Sequence, residues 1–205
     1  MLRDNLIKCF QHTLKFSVSP GLRQKTITSI HSSKVYAEKY ISKEPLQKPV
    51  TNGKNDKVPF SDQTISLARE DSYCIVVSED TTFVAAKKYV SVGKVAVLNF
   101  ANPRNPGGGV CLGAMAQEEC LCRSSNLYLC LNDASVFEAY YGYHRKEENP
   151  FFSDRLIYTK DVTVFKDDQS VPQLLPKTEW FSVDVITCAA PYVAKYTYVN
   201  SEVLL

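Results

Sequence analysis

The sequence predicts an α/β domain with a mostly parallel or mixed sheet. Segments of strand and helix alternate after about residue 64, which is the order that such sheets require. The segment Lys94–Phe100 is almost continuously apolar, as expected for a strand that is covered on both faces. Amphipathic segments at Phe83–Val92 and about Ala116–Leu131 predict helices. Four other segments predict the remaining strands: Tyr73–Ser78, Leu156–Thr159, Val162–Phe165 and Phe181–Cys188.

A helical extension is predicted in front of this domain. Residues 2–14 favour a helix because their apolar side chains share one face: Leu2, Leu6, Cys9, Phe10, Thr13 and Leu14. Ser19-Pro20-Gly21 breaks the chain, and a second helix is predicted over Leu22–Ile41. Its inward side chains would be Ile27, Ile30, Ala37, Tyr40 and Ile41. Residues 42–63 contain prolines, lysines and Asn52-Gly53, which are typical of a linker or a long loop. We therefore expect an extension and linker over residues 1–63 and one core domain over residues 64–205.

Composition restricts the function classes. The 205 residues carry a formal charge of only +2, so no global basic field attracts nucleic acid. The sequence contains no run of about 18 apolar residues, so we expect no membrane-spanning helix. The chain has seven cysteines, an odd number, and the sequence shows no secretory signal. Both observations indicate reduced thiols and a cytoplasmic location. A nuclear or mitochondrial location stays open.

A glycine loop follows the apolar strand. Pro103 and Pro106 stiffen the approach to Gly107, Gly108 and Gly109, where positive φ angles are allowed without a Cβ. Ligands of α/β sheets bind beyond the carboxyl ends of the strands, and backbone N–H groups of such a loop can face an anion. Taken alone, three glycines more often form a tight turn between a strand and a helix.

Three polar residues begin the helix after this loop: Gln117, Glu118 and Glu119. Acids at a helix N-terminus are common because they interact favourably with the helix dipole. Neighbouring helical residues point about 100° apart, which disfavours two carboxylates that attack one bond from opposite sides. One working acid, with its neighbour orienting the substrate or the backbone, fits the pattern better.

These motifs together resemble the signature of poly(ADP-ribose) glycohydrolases, in which Gly-Gly-Gly is followed at short range by Gln-Glu-Glu. The surrounding sequence resembles the microbial-type branch of the family over roughly residues 1–195. The matching segments include Val97–Ala101, Asn105-Pro106, Gly113-Ala114, Leu121–Arg123, Ser153-Asp154 and Ile186–Pro191. The resemblance implies a three-layer α/β/α macrodomain with a mixed sheet that binds ADP-ribose. It also implies hydrolysis of the ribose–ribose O-glycosidic bond of poly(ADP-ribose), without a cofactor or a metal.

The resemblance also implies roles for particular residues. Glu119 would protonate the departing ribose oxygen, and Glu118 would hold ribose hydroxyls. Gly107, Gly108 and Gly109 would embrace the diphosphate and the distal ribose. Four further residues are predicted to contact substrate: Asn102, Asn105, Gln117 and Asp80, the last at the adenine amino group. The expected partners are poly(ADP-ribose) or ADP-ribosylated proteins, with no DNA and no membrane, and the chain is expected to be a monomer.

The sequence departs from the family at its C-terminal side. Family members continue after the Ala-Ala-Pro segment with a helix, a buried strand and a second glycine-rich phosphate loop, whereas this chain ends at Leu205. The domain is therefore expected to be incomplete at its C-terminus, with an uncovered strand edge and exposed apolar core. Three hypotheses remain open: an active glycohydrolase, an ADP-ribose-binding macrodomain without turnover, and an inactive truncated product.

Other site types are less favoured. Cys111, Cys120, Cys122 and Cys130 cluster loosely, but only Cys120 and Cys122 are close, so buried thiols are favoured over zinc. We expect His12, His31 and His144 at the surface, where they would not activate a thiol. An aromatic run could stack bases, but packing over the sheet edge is favoured: Tyr140, Tyr141, Tyr143, Phe151 and Phe152.

Overall fold

The computed structural model describes residues 1–37, 75–147 and 153–190. The helices in these ranges are α1 Leu2–Ser17, α2 Arg23–Ser32, α3 Thr82–Lys87, α4 Gln117–Ser124, α5 Leu127–Leu131, α6 Ala134–Val136 and α7 Tyr143–Lys146. A π-helical segment, Phe137–Gly142, joins α6 to α7, and two 3-10 turns lie at Val110–Leu112 and Lys177–Glu179. The strands are β1 Lys34–Tyr36, β2 Ala96–Phe100, β3 Leu156–Val164 and β4 Phe181–Cys188.

The four strands form one mixed sheet, which confirms the predicted α/β class. Their order is β1-β3-β4-β2. β2 runs parallel to β4, while β3 is antiparallel to both β4 and β1. β2 therefore forms an edge of the sheet that the described strands make.

β3 replaces the two separate strands predicted within residues 156–165. Its pairing with β4 shifts register between Thr159 and Val162, where Asp161 has a φ of 54°. A bulge of this kind inserts a residue without ending the strand. Asp161 N donates to Asp184 Oδ1 at 3.0 Å, which keeps the bulged residue attached to β4.

The predicted inward face of α1 is mostly confirmed. Leu6, Cys9, Phe10 and Thr13 are buried, whereas Leu2 is exposed. Thr13 Oγ1 donates to the carbonyl of Arg123 at the end of α4 at 2.6 Å. α1 therefore packs against the helix that follows the glycine loop.

The prediction of a helix over Leu22–Ile41 is wrong beyond Ser32, because α2 ends there and residues 34–36 form β1. Thr26 and Ser29 are the buried residues of α2, while Ile27 and Ile30 are half-buried. Hydroxyl groups explain the difference: Ser29 Oγ donates to the carbonyl of Asp161 at 2.8 Å, so this face is anchored to β3 by hydrogen bonds.

Several sequence predictions fall partly or wholly outside the described residues. Residues 42–63, and the positions of Tyr40, Ile41 and Tyr73, lie there, so the division of the chain near residue 63 stays a prediction. The described part of the predicted strand, 75–78, contains only a single bridge residue, Val76. α3 is shorter than the predicted helix, because turns follow Lys87.

The long helix predicted over about Ala116–Leu131 is interrupted at Ser125 and Asn126. Ser125 forms a β-bridge with Val164, and the backbone N–H of Thr163 donates to Asn126 Oδ1 at 2.9 Å. The chain leaves the helix here because Ser125 and Asn126 form hydrogen-bonded contacts with the end of β3. α4 and α5 are consequently two short helices.

The prediction that β2 is covered on both faces is wrong for the described residues. Val97 and Asn99 are buried, but Leu98 is 43% exposed and Phe100 is 62% exposed. The apolar core lies on the face of the sheet that carries Val97, Ile157 and Val185. The carboxyl end of β2 leads from this face directly into the glycine loop.

Replacing Asn126 by Ala should destabilise the fold through the helix break. The side chain is buried and bonds both Thr163 N and Thr26 Oγ1, so its loss leaves a buried N–H unpaired. We expect the free energy of unfolding to fall by about 1–3 kcal/mol, measured by urea denaturation. The exposed Asn132→Ala is the control, and equal stabilities of the two variants would contradict this account.

Candidate active site

The candidate site lies where the loop after β2 folds back on the start of α4. Gly107 and Gly108 adopt positive φ angles of 64° and 56°. Gly108 N donates to the carbonyl of Asn105, and Val110 N donates to that of Gly107, both at 3.0 Å. The loop is thus a tight turn, as three glycines alone would suggest. Its backbone also packs against the acidic side chains at the start of α4.

Gly108 lies directly against the two acids. A Cβ on Gly108 would be 2.4 Å from Glu119 Oε1 and 3.1 Å from Glu118 Oε2. A Cβ on Gly107 would meet Tyr128 at 2.8 Å, and one on Gly109 would meet Ala114 at 2.8 Å. These three positions therefore require glycine because the backbone approaches the side chains of α4 and its surroundings closely.

Glu118 is a buried carboxyl held by the backbone of the loop. Only 3% of its surface is exposed. Asn102 N donates to Oε2 at 2.7 Å, and Asn99 Nδ2 lies 3.5 Å from Oε1. Burial is the main cause that raises the pKa of Glu118 to about 7, and the charge of Glu119 adds to it, against the opposing hydrogen bonds from Asn102 and Asn99.

Glu119 is the second buried carboxyl and is 6% exposed. Gly109 N donates to its Oε1 at 2.7 Å. Its Oε2 is buried and has no hydrogen-bond partner among the residues that the structure describes. Both acids therefore converge on Gly108 from one side, although they are neighbours on the helix, because the loop wraps around the N-terminus of α4.

Gln117 fixes the start of α4 on the edge of β2. Its Oε1 accepts from Phe100 N at 2.9 Å, and its Nε2 donates to the carbonyl of Leu98 at 2.7 Å and to Thr82 Oγ1 at 3.1 Å. Both N–H bonds of the amide are used within the protein. The structure thus gives Gln117 a positioning role, and its predicted contact with substrate stays a prediction.

Asn102 and Asn105 shape the approach to the glycines. Asn102 Oδ1 accepts from the backbone N–H groups of Arg104 and Asn105, both at 2.9 Å. Asn105 Oδ1 accepts from Arg145 Nη2 at 3.1 Å, a contact that the sequence does not reveal. Asn99 was also missed as a partner of Glu118, although a polar residue within an apolar strand is a signal that could have found it.

Asp80 lies in a separate part of the site. Its carboxylate accepts hydrogen bonds from Lys88 and Ser78. The hydrogen bond from Lys88 is the main cause that lowers the pKa of Asp80. Asp80 and Gln117 line one cavity of about 420 Å³, together with Thr82, Met115 and Arg123. Direct contacts bring the glycines, Asn102, Glu118 and Glu119 together. Asp80 does not share these contacts, but it lines the same cavity as Gln117, the residue that precedes the two acids in α4.

The expectation for His144 is wrong. It is fully buried, its Nε2 lies 2.8 Å from Ser153 Oγ, and it packs edge-on against Tyr140. Tyr140 and Tyr141 are also fully buried, so this part of the aromatic run packs in the core. His12 and His31 are exposed as predicted. Phe151 and Phe152 lie outside the described residues.

The described cysteines are all free thiols. Within the described ranges, no three His, Cys, Asp or Glu side chains gather into a possible metal site. None of the helices in those ranges has the length and apolar character needed to cross a bilayer.

Comparison with known proteins assigns this arrangement to a family. The family model described as "Microbial-type PARG, catalytic domain" matches residues 13–167, which is more than half of the chain. The chain belongs to this family. PARG stands for poly(ADP-ribose) glycohydrolase, a hydrolase that acts on glycosyl bonds. The match includes the glycine loop and the three polar residues at the start of α4.

Solved structures agree with the family. PARG from Thermomonospora curvata, solved by crystallography with the inhibitor ADP-HPD bound, shares 25% sequence identity with this chain. The alignment covers 98% of this chain and 69% of that PARG chain, with a TM-score of 0.72. A second structure of that PARG is 26% identical at the same coverage, with a TM-score of 0.71. PARG from Deinococcus radiodurans in complex with ADP-ribose is 41% identical over 58% of this chain and 47% of that chain, with a TM-score of 0.53. No curated protein matches the chain.

Replacing Gly108 by Ala should disrupt the contact between the PARG loop and its acids. Alanine is strained at a φ of 56°, and its Cβ would collide with Glu119 Oε1. We expect a loss of at least about 1–2 kcal/mol in the free energy of unfolding, measured by urea denaturation. Gly93→Ala is the control, since nothing lies within 4 Å of its added Cβ. Equal stabilities of both variants would show that the loop does not pack as described.

The raised pKa of Glu118 predicts a pH-dependent stability. The unfolded chain ionises Glu118 near its ordinary pKa of 4.5, while the folded chain retains the proton to about pH 7. The folded state binds more protons between these values, so stability should fall as pH rises from about 5 to 7. Relative to Glu118→Gln, the native chain should lose on the order of 2–3 kcal/mol across this range.

Urea denaturation at several pH values measures this difference. Glu138→Gln is the matched control, because the Glu138 side chain is exposed and should leave the decline unchanged. A decline of the same size in Glu118→Gln would assign it to another group.

Proposed function

We propose that this chain hydrolyses ribose–ribose O-glycosidic bonds of poly(ADP-ribose) and releases ADP-ribose, with Glu119 as the general acid. The observation that carries the proposal is the buried Oε2 of Glu119, which lacks a partner among the described residues and lies beside the glycine loop. A carboxyl oxygen in this state is suited to present a proton to a substrate oxygen that enters the loop.

The neighbouring carboxyl helps to keep a proton at the site. Glu118 and Glu119 both lie against Gly108, so their carboxyls face the same part of the loop. Because burial raises the pKa of Glu118 to about 7, Glu118 retains its proton up to nearly neutral pH. A glycosidase needs such a proton for the departing oxygen while positive charge develops on the sugar.

The backbone of the loop supports the binding of substrate. Gly107 and Gly108 have no Cβ and adopt positive φ, so a diphosphate and the adjoining ribose can approach the main chain closely. Asn102 N donates to Glu118 and so restrains that carboxyl, which is proposed to bond ribose hydroxyls. Asn102, Asn105 and Asp80 are proposed to contact the remainder of an ADP-ribose unit. The Deinococcus radiodurans relative, solved in complex with ADP-ribose, supports this class of ligand.

Replacing Glu119 by Gln should separate binding from turnover. Glutamine retains the size of the side chain and can accept from Gly109 N, but it cannot donate an acidic proton. We expect unchanged ADP-ribose affinity by calorimetric titration and a loss of about a hundredfold or more in the release of ADP-ribose from automodified polymer.

The control is Glu138→Gln, which alters an exposed acid far along the chain from the loop. Turnover by Glu119→Gln at the native rate would remove the acid role from Glu119. Binding of ADP-ribose by the native chain without any release from polymer would favour a binding macrodomain, and absence of both would identify an inactive chain.

A further inference from the structure

A second cluster of reactive side chains lies away from the glycine loop, where α1 meets the segment after β3. Lys166 Nζ donates to the carbonyl of Cys9 at 2.9 Å and lies 3.2 Å from Cys9 Sγ. Both side chains are largely buried, with 7% of Cys9 and 4% of Lys166 exposed. A buried lysine that directs its charge at a thiol is an unusual pairing, since buried charges generally have charged partners.

The ionisable group in contact with this thiol is Lys166. Burial lowers the pKa of Lys166, and the contact with Cys9 opposes that lowering. Lys166 forms no salt bridge with a carboxylate in the described part of the chain, although Asp167 is its neighbour in sequence. The Asp167 carboxylate is bonded instead by the side-chain and backbone groups of its own turn, at Gln169 and Gln173. Positive charge near Cys9 is therefore only partly neutralised.

A cavity of about 390 Å³ opens beside the pair. Its ionisable lining groups are Lys8, His12, Lys166 and the Cys9 thiol, and none of the described residues adds a carboxylate to the lining. The rest of the wall comes from Asn5 and the segment 171–174. A small polar molecule can therefore enter beside a thiol that one of the basic lining side chains, Lys166, contacts.

The other described thiols lack this combination. Burial raises the pKa of Cys122, Cys130 and Cys188, which keeps them protonated. Cys111 is exposed, and within the described residues no lysine forms a hydrogen bond to it. Cys120 lies 3.7 Å from Arg123 Nη2, a longer contact than that of Cys9 with Lys166.

We propose that Cys9 is a modification site that hydrogen peroxide oxidises to sulfenic acid, with Lys166 as its electrostatic and proton-donating partner. The thiolate is the reactive form of cysteine, and an adjacent ammonium stabilises its negative charge. Exposure alone would direct peroxide to Cys111, so the preference for Cys9 follows from the contact with Lys166.

The chemical step balances with peroxide as the only added reagent. The Cys9 thiolate attacks one peroxide oxygen, the O–O bond breaks and an S–O bond forms. Sulfur is oxidised by two electrons, and the other oxygen leaves as hydroxide. The Lys166 ammonium gives that hydroxide a proton, so the products are Cys9 sulfenic acid, water and a neutral lysine. The carbonyl of Pro172, which accepts from Cys9 Sγ at 3.3 Å, can then accept from the new hydroxyl.

Trapping of sulfenic acid tests the site in the full chain. The reduced protein is treated with limiting hydrogen peroxide in the presence of dimedone, and labelled peptides are quantified by mass spectrometry. We expect Cys9 to be labelled before Cys111 and Cys120. Lys166→Met should lower labelling at Cys9 by about tenfold and leave Cys111 unchanged, while Lys166→Arg should retain much of the native rate.

Lys8→Gln is the matched control, because it removes a cation from the cavity without touching the sulfur, and it should change labelling far less than Lys166→Met. The order of labelling in the native protein does not depend on whether a variant folds. Earlier labelling of Cys111 than of Cys9 in the native chain would overturn the proposal. Equal Cys9 labelling in folded Lys166→Met and native protein, with folding checked by circular dichroism, would remove the role of Lys166.

Discussion

Two backbone N–H groups determine the geometry of the whole site. Asn102 N and Gly109 N donate to Glu118 and Glu119, and both donors belong to the loop between β2 and α4. Hydrogen bonds to carboxylates are among the stronger ones in proteins. The loop and the helix therefore specify one another: the acids order the glycines, and the glycines allow the backbone to reach the acids.

This mutual dependence explains why a local sequence motif could point to this part of the molecule, although the roles of its residues stay predictions. The glycines, Glu118 and Glu119 are close in sequence, so the local pattern contains most of the information about their contact. The same holds for the amphipathic α1 and for β4, whose apolar periodicity reflects burial directly. The family match extends this agreement from the motif to most of the domain.

The sequence was least informative where a distant element decides the outcome. α2 ends at Ser32 because residues 34–36 pair with β3 as strand β1, and β3 lies more than a hundred residues away. α4 and α5 separate because Asn126 satisfies the end of the same strand. His144 is buried although its neighbours Arg145 and Lys146 are polar, since its position depends on the packing of Tyr140. The β3 partners of Ser29 and Asn126 lie outside any local sequence window. Tyr140 is only four residues from His144, but their burial depends on the packing of the whole domain. The raised pKa of Glu118 likewise depends on its burial, which only the structure shows.

The amide of Gln117 has a consequence for β2, which lies at an edge of the described sheet. It bonds Leu98 O and Phe100 N much as an adjacent strand would, while the following two residues are the catalytic candidates. Any polypeptide that lengthened the sheet at these two positions would have to displace this amide and so release the first turn of α4. Occupancy of the edge and placement of the acids are thus thermodynamically linked, and a ligand that orders the acids must in equal measure alter the affinity of the edge for another strand.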